Sequence, residues 1–404
     1  MKAKWPARGG AGASMRRETK VLVVANVASS ISWGLCWSYL YYRLTDLGAS
    51  YFQLCLMDSL AAATYLLSRI WGALSDYYGR RKPFMLSGFA ASALPMILMA
   101  LRNADVWALI CSYVASCFAW GIAYPAYMAA LTSDPEREKA TTLLAFVGSA
   151  SWALGVSMMG PVEGGLGPGG VFAVCFLVAL AFPLALLAYR ERPLPRKEEP
   201  LGQYLKITIT PRFRAERGFG FFLIGAFLSW LGLQWASTAR VKLYELLGCS
   251  KTKAGVVWAV NSLVSAFTVL LARRLVERLG GIRTLAASIA CYAIVVPSYG
   301  LVWSPPVFVL LWITPIWPFF NLGCMLSPAE LSSEDVRGEA MGAGEVAKNL
   351  GVLSGVLGGI LADALGREVA LLLAAVPFGM ALVCVGACYK AHGGTHVTKR
   401  RKVF

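Results

Sequence analysis

Charge is scarce in this sequence: only 15% of its 404 residues are Asp, Glu, Lys or Arg, and only two are His. With 57% hydrophobic residues and a mean hydropathy of +0.59, the chain carries more apolar surface than a water-soluble core of this length can hide. That excludes an ordinary soluble globular protein and leaves the bilayer as the solvent. Cysteine pairing is absent too. The ten cysteines are scattered through apolar segments, as at Cys36, Cys111, Cys175 and Cys384, with no CxxC pair. They are expected as small core- or lipid-facing residues, neither disulfides nor metal ligands. No paired catalytic carboxylates, metal cluster or phosphate loop appears, so neither an enzyme nor a cofactor is expected.

Acidic residues are also the minority, 22 against 38 Lys and Arg. In a soluble chain that excess would suggest nucleic acid. Here most of the basic residues fall in the tails and in alternate loops, which by the positive-inside rule places both termini in the cytoplasm and predicts no nucleic-acid partner. Lys2, Lys4, Arg8, Arg16, Arg17 and Lys20 precede the apolar run 21–42, which is too long for a cleaved signal sequence and is expected to stay as the first helix.

What the chain has in abundance is apolar runs of spanning length. They lie near 20–43, 51–75, 83–101, 105–131, 140–162 and 170–190, then near 218–247, 253–276, 283–303, 306–330, 339–363 and 367–389. Between the two sets lies a polar, proline-bearing stretch suited to a solvated linker. The pattern divides the chain into a basic tail (1–19), a first bundle (20–190), a cytoplasmic linker (191–217), a second bundle (218–390) and a second basic tail (391–404). The halves repeat: Asp76, Gly79 and Lys82 are echoed by Glu277, Gly280 and Arg283, Arg137 and Ala140 by Arg337 and Ala340, and Gly155 by Gly355. The expected fold is an all-α membrane protein with twelve transmembrane helices in two pseudo-symmetric six-helix bundles.

The sharpest local signal is Gly72-Ala-Leu-Ser-Asp76-Tyr-Tyr-Gly79-Arg80-Arg81-Lys82, joining the second and third spans. Gly72 permits close helix contact, Gly79 a tight turn, and Asp76 stands at a helix end where it can meet a helix N-terminus or a cation. This segment resembles the GxxxDxxGRRK loop signature of the major facilitator superfamily. The resemblance implies that Asp76 belongs to a cytoplasmic latch stabilising an outward-facing state. The second-half copy is degenerate, with Arg273 in the place of Gly72 and Glu277 in that of Asp76. Gly160-Pro161-Val162-Glu163-Gly164-Gly165 resembles the GPxxGG motif of antiporter members, and equally suits a glycine-rich helix end. Two departures bear on proton antiport: Cys117-Phe118-Ala119-Trp120-Gly121 lacks the RxxQG arginine of many members, and no carboxylate lies in 21–42.

The intramembrane ionisable candidates for coupling are Asp58 and Arg69 in the second span and Glu345 and Lys348 in the eleventh. Glu345 and Lys348, three apart, can neutralise each other; alternatively Lys348 reaches Asp58 across the gap between halves, in a pair that breaks as the halves rock. A candidate substrate cavity is drawn from residues at helical spacing: Asn26, Trp33 and Trp37; Trp120, Tyr124 and Tyr127; Trp230 and Gln234; Trp317 and Asn321; and Asn349. Each of these is equally a packing residue or an interfacial anchor. His392 and His396, in a Gly-rich tail beside Lys399, read as part of a solvated basic segment with no metal.

The expectation is thus a monomeric, multi-pass secondary transporter of the plasma membrane that moves a small organic solute by alternating access. Efflux of an amphipathic, drug-like compound coupled to an ion gradient, the proton first among candidates, is the leading reading. Uptake of a small anionic metabolite with Lys348 as counter-charge, and a non-transporting membrane sensor on the same scaffold, are the alternatives.

Overall fold

The computed structural model describes residues 16–134, 136–191, 195–209, 218–332 and 337–392. The expectations for most of the two basic tails, His396 included, and for 210–217 of the linker lie outside the described residues. The first half consists of α1 (Arg17–Asp46), α2 (Tyr51–Leu66), α3 (Ser68–Tyr78), α4 (Lys82–Leu101), α5 (Val106–Thr132), α6 (Arg137–Ser157) and α7 (Met159–Leu187). After α8 (Leu201–Ile209), the second half consists of α9 (Phe219–Trp235), a 3-10 turn (Ala236–Thr238), α10 (Ala239–Leu246), α11 (Lys251–Leu279), α12 (Gly281–Leu301), α13 (Pro305–Trp312), α14 (Trp317–Glu330), α15 (Arg337–Leu353), α16 (Val356–Leu365), α17 (Arg367–Leu373) and α18 (Ala375–His392). No strand occurs among the described residues.

Ten helical segments are long and apolar enough to cross a membrane, eleven with the bent α11 counted. The short helices α2 and α3 meet at Leu67 in the place of a further traverse, an arrangement consistent with twelve. Gly167, at φ 70° and ψ 178°, breaks α7, so that 159–166 completes the fifth crossing and 168–187 forms the sixth. The fifth crossing therefore extends past its expected end. Pro161 has no N–H to offer the carbonyl of Ser157, and the helix is interrupted nearby, at Met158. Outward faces are apolar at helical spacing: Leu94, Leu98 and Leu101 on α4 and Leu177, Leu184 and Leu187 on α7 are all exposed, as lipid contact demands.

The bundle end bearing the termini is here called proximal and the opposite end distal. At the distal end one apolar core crosses between the halves, joining Tyr39, Tyr41, Tyr42 and Met57 to Val241, Tyr244 and Ala254. At the proximal end the first half closes its own core, with Leu22, Met85, Phe89, Tyr127 and Phe182. The second half has its own cluster around Phe222, Ile289, Phe320 and Phe378. Tight helix crossings depend on missing side chains. A Cβ on Gly34 would lie 2.7 Å from the Trp152 carbonyl oxygen, and one on Gly155 would strike the carbonyl of Ile31.

The linker is not wholly solvated chain. The short helix α8 packs on α3: Tyr204 meets Tyr77 with ring centroids 5.5 Å apart, and the Lys197 N–H donates to the Tyr77 carbonyl at 3.1 Å. Apolar Leu201 and Tyr204, spaced to share a face with Leu205, account for a helix where proline and charge suggested none.

Proximal helix ends are closed by side chains. Lys82 Nζ donates to the Leu187 and Tyr189 carbonyls at 3.0 and 2.6 Å, placing a cation on the C-terminus of α7. Asp134, buried between α5 and α6, accepts from the Arg16 N–H at 3.2 Å, the Glu136 N–H at 2.8 Å and the Thr19 hydroxyl, and so ties α1 to the next turn. Burial alone would push its carboxyl up; the three donors outweigh it and hold the group below the ordinary carboxylate range.

Two outcomes follow from these contacts. Gly155→Leu forces α1 and α6 apart and is expected to cost about 2 kcal/mol or more, whereas Gly164→Leu, where nothing lies within 4 Å, leaves the melting temperature of detergent-purified protein unchanged. Asp134→Ala is expected to cost about 2 kcal/mol at neutral pH. Because the native carboxyl is the more acidic form, that contribution is present above the unfolded-state value of about 4 and fades as pH falls through the lower native value. Melting curves of the two proteins should therefore converge in acid.

Candidate functional site

The second half holds a small open pocket between α9, α14 and α15, lined by Phe222, Ala226, Trp230, Cys324, Met325, Pro328, Met341, Gly344, Glu345 and Lys348. Phe222 and Pro328 lie close to the proximal ends of their helices, so the cavity occupies the proximal half of the bundle. Its wall is apolar and aromatic except for one ion pair. Lys348 Nζ lies 3.0 Å from the Glu345 carboxylate and 5.2 Å from the centroid of the Trp230 ring. Glu345, in the proximal part of its crossing, is 54% exposed at its side chain and opens onto the pocket.

The aromatic and amide candidates separate into groups. Trp230 faces the cavity, with Trp317 edge-on against it at 5.5 Å and itself exposed. In the first half, Trp120 stacks on Tyr124 at 4.2 Å, Tyr124 is exposed, and the Trp120 indole N–H is buried with no partner among the described residues. Asn321 and Asn349 are half-buried. Tyr127 is a correction: it is buried in the first-half core, its hydroxyl donating to the Leu22 carbonyl at 3.1 Å, because Phe89 and Phe182 enclose it on the side away from the gap. Asn26 bonds Ser30 of its own helix at 3.1 Å, Trp33 packs edge-on against Tyr113, and Gln234 fills the crossing at Gly355.

The Asp58–Lys348 pair is not made in this conformation. Lys348 keeps to Glu345, while Asp58 accepts from Arg240 Nη1 at 3.0 Å and Trp37 Nε1 at 3.3 Å. Asp58 stands only two turns from the distal end of its crossing, and its cation comes from the distal end of the seventh. Arg240 lies over the Trp37 and Tyr41 rings at 4.5 and 5.0 Å. Arg69 packs against Gly342 of α15, on the proximal side.

Around Asp58 a polar seam joins the halves. Lys251 reaches Asp46 at 2.5 Å and Glu163 at 2.9 Å; Glu163 also accepts from the Tyr39 hydroxyl at 2.8 Å. The Tyr244 hydroxyl donates to Asp46 at 3.0 Å, the Trp258 indole to the Tyr42 hydroxyl at 2.7 Å, and the Tyr41 hydroxyl to the Ser237 carbonyl at 3.0 Å. In the GPxxGG segment Gly160 has no side chain to keep α7 off Thr252 of α11, whereas Gly164 and Gly165 face open space. The motif thus sits on the line where the halves touch, and its Glu163 supplies one of the contacts.

At the proximal loop, Gly79 takes the left-handed conformation (φ 64°, ψ 19°) that ends α3, and Gly72 lets Pro125 of α5 approach a would-be Cβ at 3.1 Å. Asp76 pairs with Arg81 at 3.3 Å inside its own half, and Arg81 also donates to the Ala129 carbonyl at 3.0 Å. Arg80 is exposed. Glu277 makes an exposed i,i+4 pair with Arg273 at 2.9 Å.

Sequence reasoning missed Asp46, Arg240 and Lys251 as site residues, and Glu163 as a contact. Asp46, Arg240 and Lys251 lie at helix ends, where charge reads as ordinary loop solvation. Glu163 carried a signal, an acid inside a glycine motif at a span end. Lys242 was also missed; it is fully buried, donating to the Gly300 carbonyl at 2.9 Å beneath the Trp303 ring.

The sequence matches the family model described as Major Facilitator Superfamily over residues 22–351, with a second match over 222–402. No curated protein sequence matches it. Among solved structures, a point mutant of the nucleoside transporter NupG superposes with a TM-score of 0.76 at 13% identity, covering 93% of this chain and 100% of that one. An auto-inhibited peptide transporter of the POT family gives 0.73 at 14% identity (93% and 97% covered), and the POT family transporter PepTSo 0.75 at 11% (94% and 99% covered). At those identities the likeness is one of fold. The family model spans most of the chain, and the chain therefore belongs to the major facilitator superfamily, as a membrane transporter and not an enzyme.

Proposed function

We propose that the protein exports an amphipathic organic solute with an aromatic body and a positive charge, by alternating access coupled to protons, across the plasma membrane as a monomer. The observation that carries this reading is the single ion pair, Glu345–Lys348, on an otherwise apolar and aromatic cavity wall beside Trp230. An aromatic body gains contact area and ring–ring interaction against Trp230, and a cationic group can take the place of Lys348 above that ring and at the Glu345 carboxylate. Proton and solute then compete for one carboxylate, which is the minimum an exchanger needs.

Orientation follows from charge. Arg80, Arg81, Lys82, Arg196, Lys197, Arg278 and Arg283 gather at the proximal end, which the positive-inside rule assigns to the cytoplasm. With the distal seam joined and the cavity in the proximal half, the conformation described here then corresponds to the inward-facing member of the cycle. The GPxxGG resemblance supports exchange and export. The anionic-uptake alternative is weaker on the same geometry, because Glu345 already neutralises Lys348.

Inside-out vesicles with an acidic lumen test the proposal, using a planar aromatic cation such as ethidium as the probe. Accumulation should follow the pH gradient; accumulation driven by sodium alone, or none, rejects it. Glu345→Gln should abolish gradient-driven accumulation and weaken, without abolishing, counterflow of the same cation; retention of gradient-driven accumulation would remove Glu345 from coupling. Trp230→Ala should raise the half-saturation concentration about tenfold, as loss of an aromatic and cation–π partner does, with Trp230→Phe intermediate.

A further inference from the structure

The first turn of α2 raises a question of hydrogen-bond partners. Four N–H groups at a helix start have no acceptor within the helix. Ser50 and Gln53 close two through a capping box, the Ser50 hydroxyl accepting from the Gln53 N–H at 3.2 Å and the Gln53 side-chain oxygen from the Ser50 N–H at 3.0 Å. The remaining two, on Tyr51 and Phe52, are taken by a residue of the other half. The two carboxylate oxygens of Asp363, near the end of α16, accept them at 2.9 and 2.8 Å. Gly359, one turn earlier, makes this possible: a Cβ there would lie 2.5 Å from the Tyr51 carbonyl oxygen and 2.8 Å from Phe52 Cα, so any other residue would hold α16 away.

The sequence around Asp363 repeats that of the proximal loop. Gly359-Ile-Leu361-Ala-Asp363-Ala-Leu-Gly366-Arg367 matches Gly72-Ala-Leu74-Ser-Asp76-Tyr-Tyr-Gly79-Arg80 at glycine, leucine, aspartate, glycine and arginine in the same register. Both aspartates stand three residues before a positive-φ glycine that ends the helix, Gly79 at 64° and Gly366 at 90°. The two helices run antiparallel and pack together, so the segments lie at opposite ends of one inter-half seam. Asp363 stands beside the start of the second crossing, whereas Asp76 stays within its own half, paired to Arg81.

We infer that Asp363 is a distal latch, a copy of the proximal loop signature turned to the opposite membrane face, which holds the halves together in the present conformation by capping α2. When the distal end opens, Tyr51 and Phe52 exchange the carboxylate for water and Asp363 is hydrated, so nothing buried is left unpaired and the latch is reversible. Its strength comes from charge-assisted bonds to a helix N-terminus, weakened by the exposure of Asp363. The inference rests on the alternating-access reading given above.

Cys55 is a built-in reporter: it is 3% exposed, with its Sγ 3.3 Å from Ser237 Oγ across the seam, and distal opening uncovers it. The test measures the rate at which a membrane-impermeant maleimide, added from the distal side, modifies Cys55, read by mass spectrometry in a chain with the exposed Cys111, Cys249 and Cys291 changed to Ser. Asp363→Ala should raise the rate about fivefold, the usual effect of losing a helix cap, and Asp363→Asn, which keeps one acceptor but loses the charge, about threefold, with Asp363→Glu nearer the parent. Asp76→Asn, at the opposite latch, should lower it. The latch is overturned if both Asp363 variants label within twofold of the parent while Asp76→Asn or saturating ethidium still shifts the rate. If neither Asp76→Asn nor ethidium moves it, the alternating-access reading itself fails, and the latch with it. The Asn variant preserves side-chain volume, so a folding defect in the Ala variant does not decide the matter.

Discussion

Everything in this protein depends on two apolar bundles being joined at one end by contacts that water can replace. In hydrocarbon an exposed polar backbone group has no partner, so each crossing must satisfy its own hydrogen bonds and little is left for holding bundle to bundle. What joins them is a seam of side chains at the distal end, where water is within reach once the seam parts. Lys251 between Asp46 and Glu163, Tyr244 on Asp46 and Trp258 on Tyr42 are all of this kind. The Lys251 ion pairs are partly buried, at 10% side-chain exposure for Lys251 against 28% for Asp46 and 22% for Glu163, close enough to the surface for water to replace each partner when the seam parts.

Close approach of backbones supplies the rest of the closure. Gly160 against Thr252 and Gly255 against the Val156 carbonyl bring α7 and α6 onto α11, as Gly359 brings α16 onto α2. These seams place Trp37 and Tyr41 around Arg240, so that the Asp58–Arg240 pair is shielded by two ring faces. The same packing leaves Glu345 and Lys348 uncovered on the proximal side. Conformation, acting through helix crossings, decides which carboxylate water can reach.

The fold was legible in the sequence because one physical requirement dominates it. A bilayer demands apolar runs of fixed length, and the runs near 83–101, 105–131 and 283–303 match α4, α5 and α12 closely. The loop around Asp76 was legible because its glycines are fixed by backbone geometry at Gly79 and by helix contact at Gly72. The site was less so. Helical spacing put Tyr127 on one face with Trp120 and Tyr124, but spacing says nothing about which side of a face meets Phe182 and which meets the gap. Asp58 was recognised as an expensive intramembrane charge, yet its partner lies on a different crossing, and the pairing is set by how far along each helix the two halves meet. At α8 the prolines and charges on either side set the reading, and nine residues are too few to stand out between them as a helix.

The mixture of shielded and exposed pairs carries a thermodynamic consequence. A pair such as Asp58–Arg240 would be costly to break if one partner stayed buried, since an uncompensated charge in a dry interior is worth several kcal/mol. Under the proposed alternating access, distal opening avoids that, because separation exposes both partners at once and each gains hydration as it loses the other. The barrier is then set by the moment at which neither partner nor water is in place. Trp37 and Tyr41 lower that cost, since their ring faces can hold the guanidinium while the carboxylate leaves. At this seam Trp37 and Tyr41 hold the protein's own arginine. Rings thus crowd the distal seam around the protein's own charges, whereas Trp230 lines the pocket and Tyr124 is exposed.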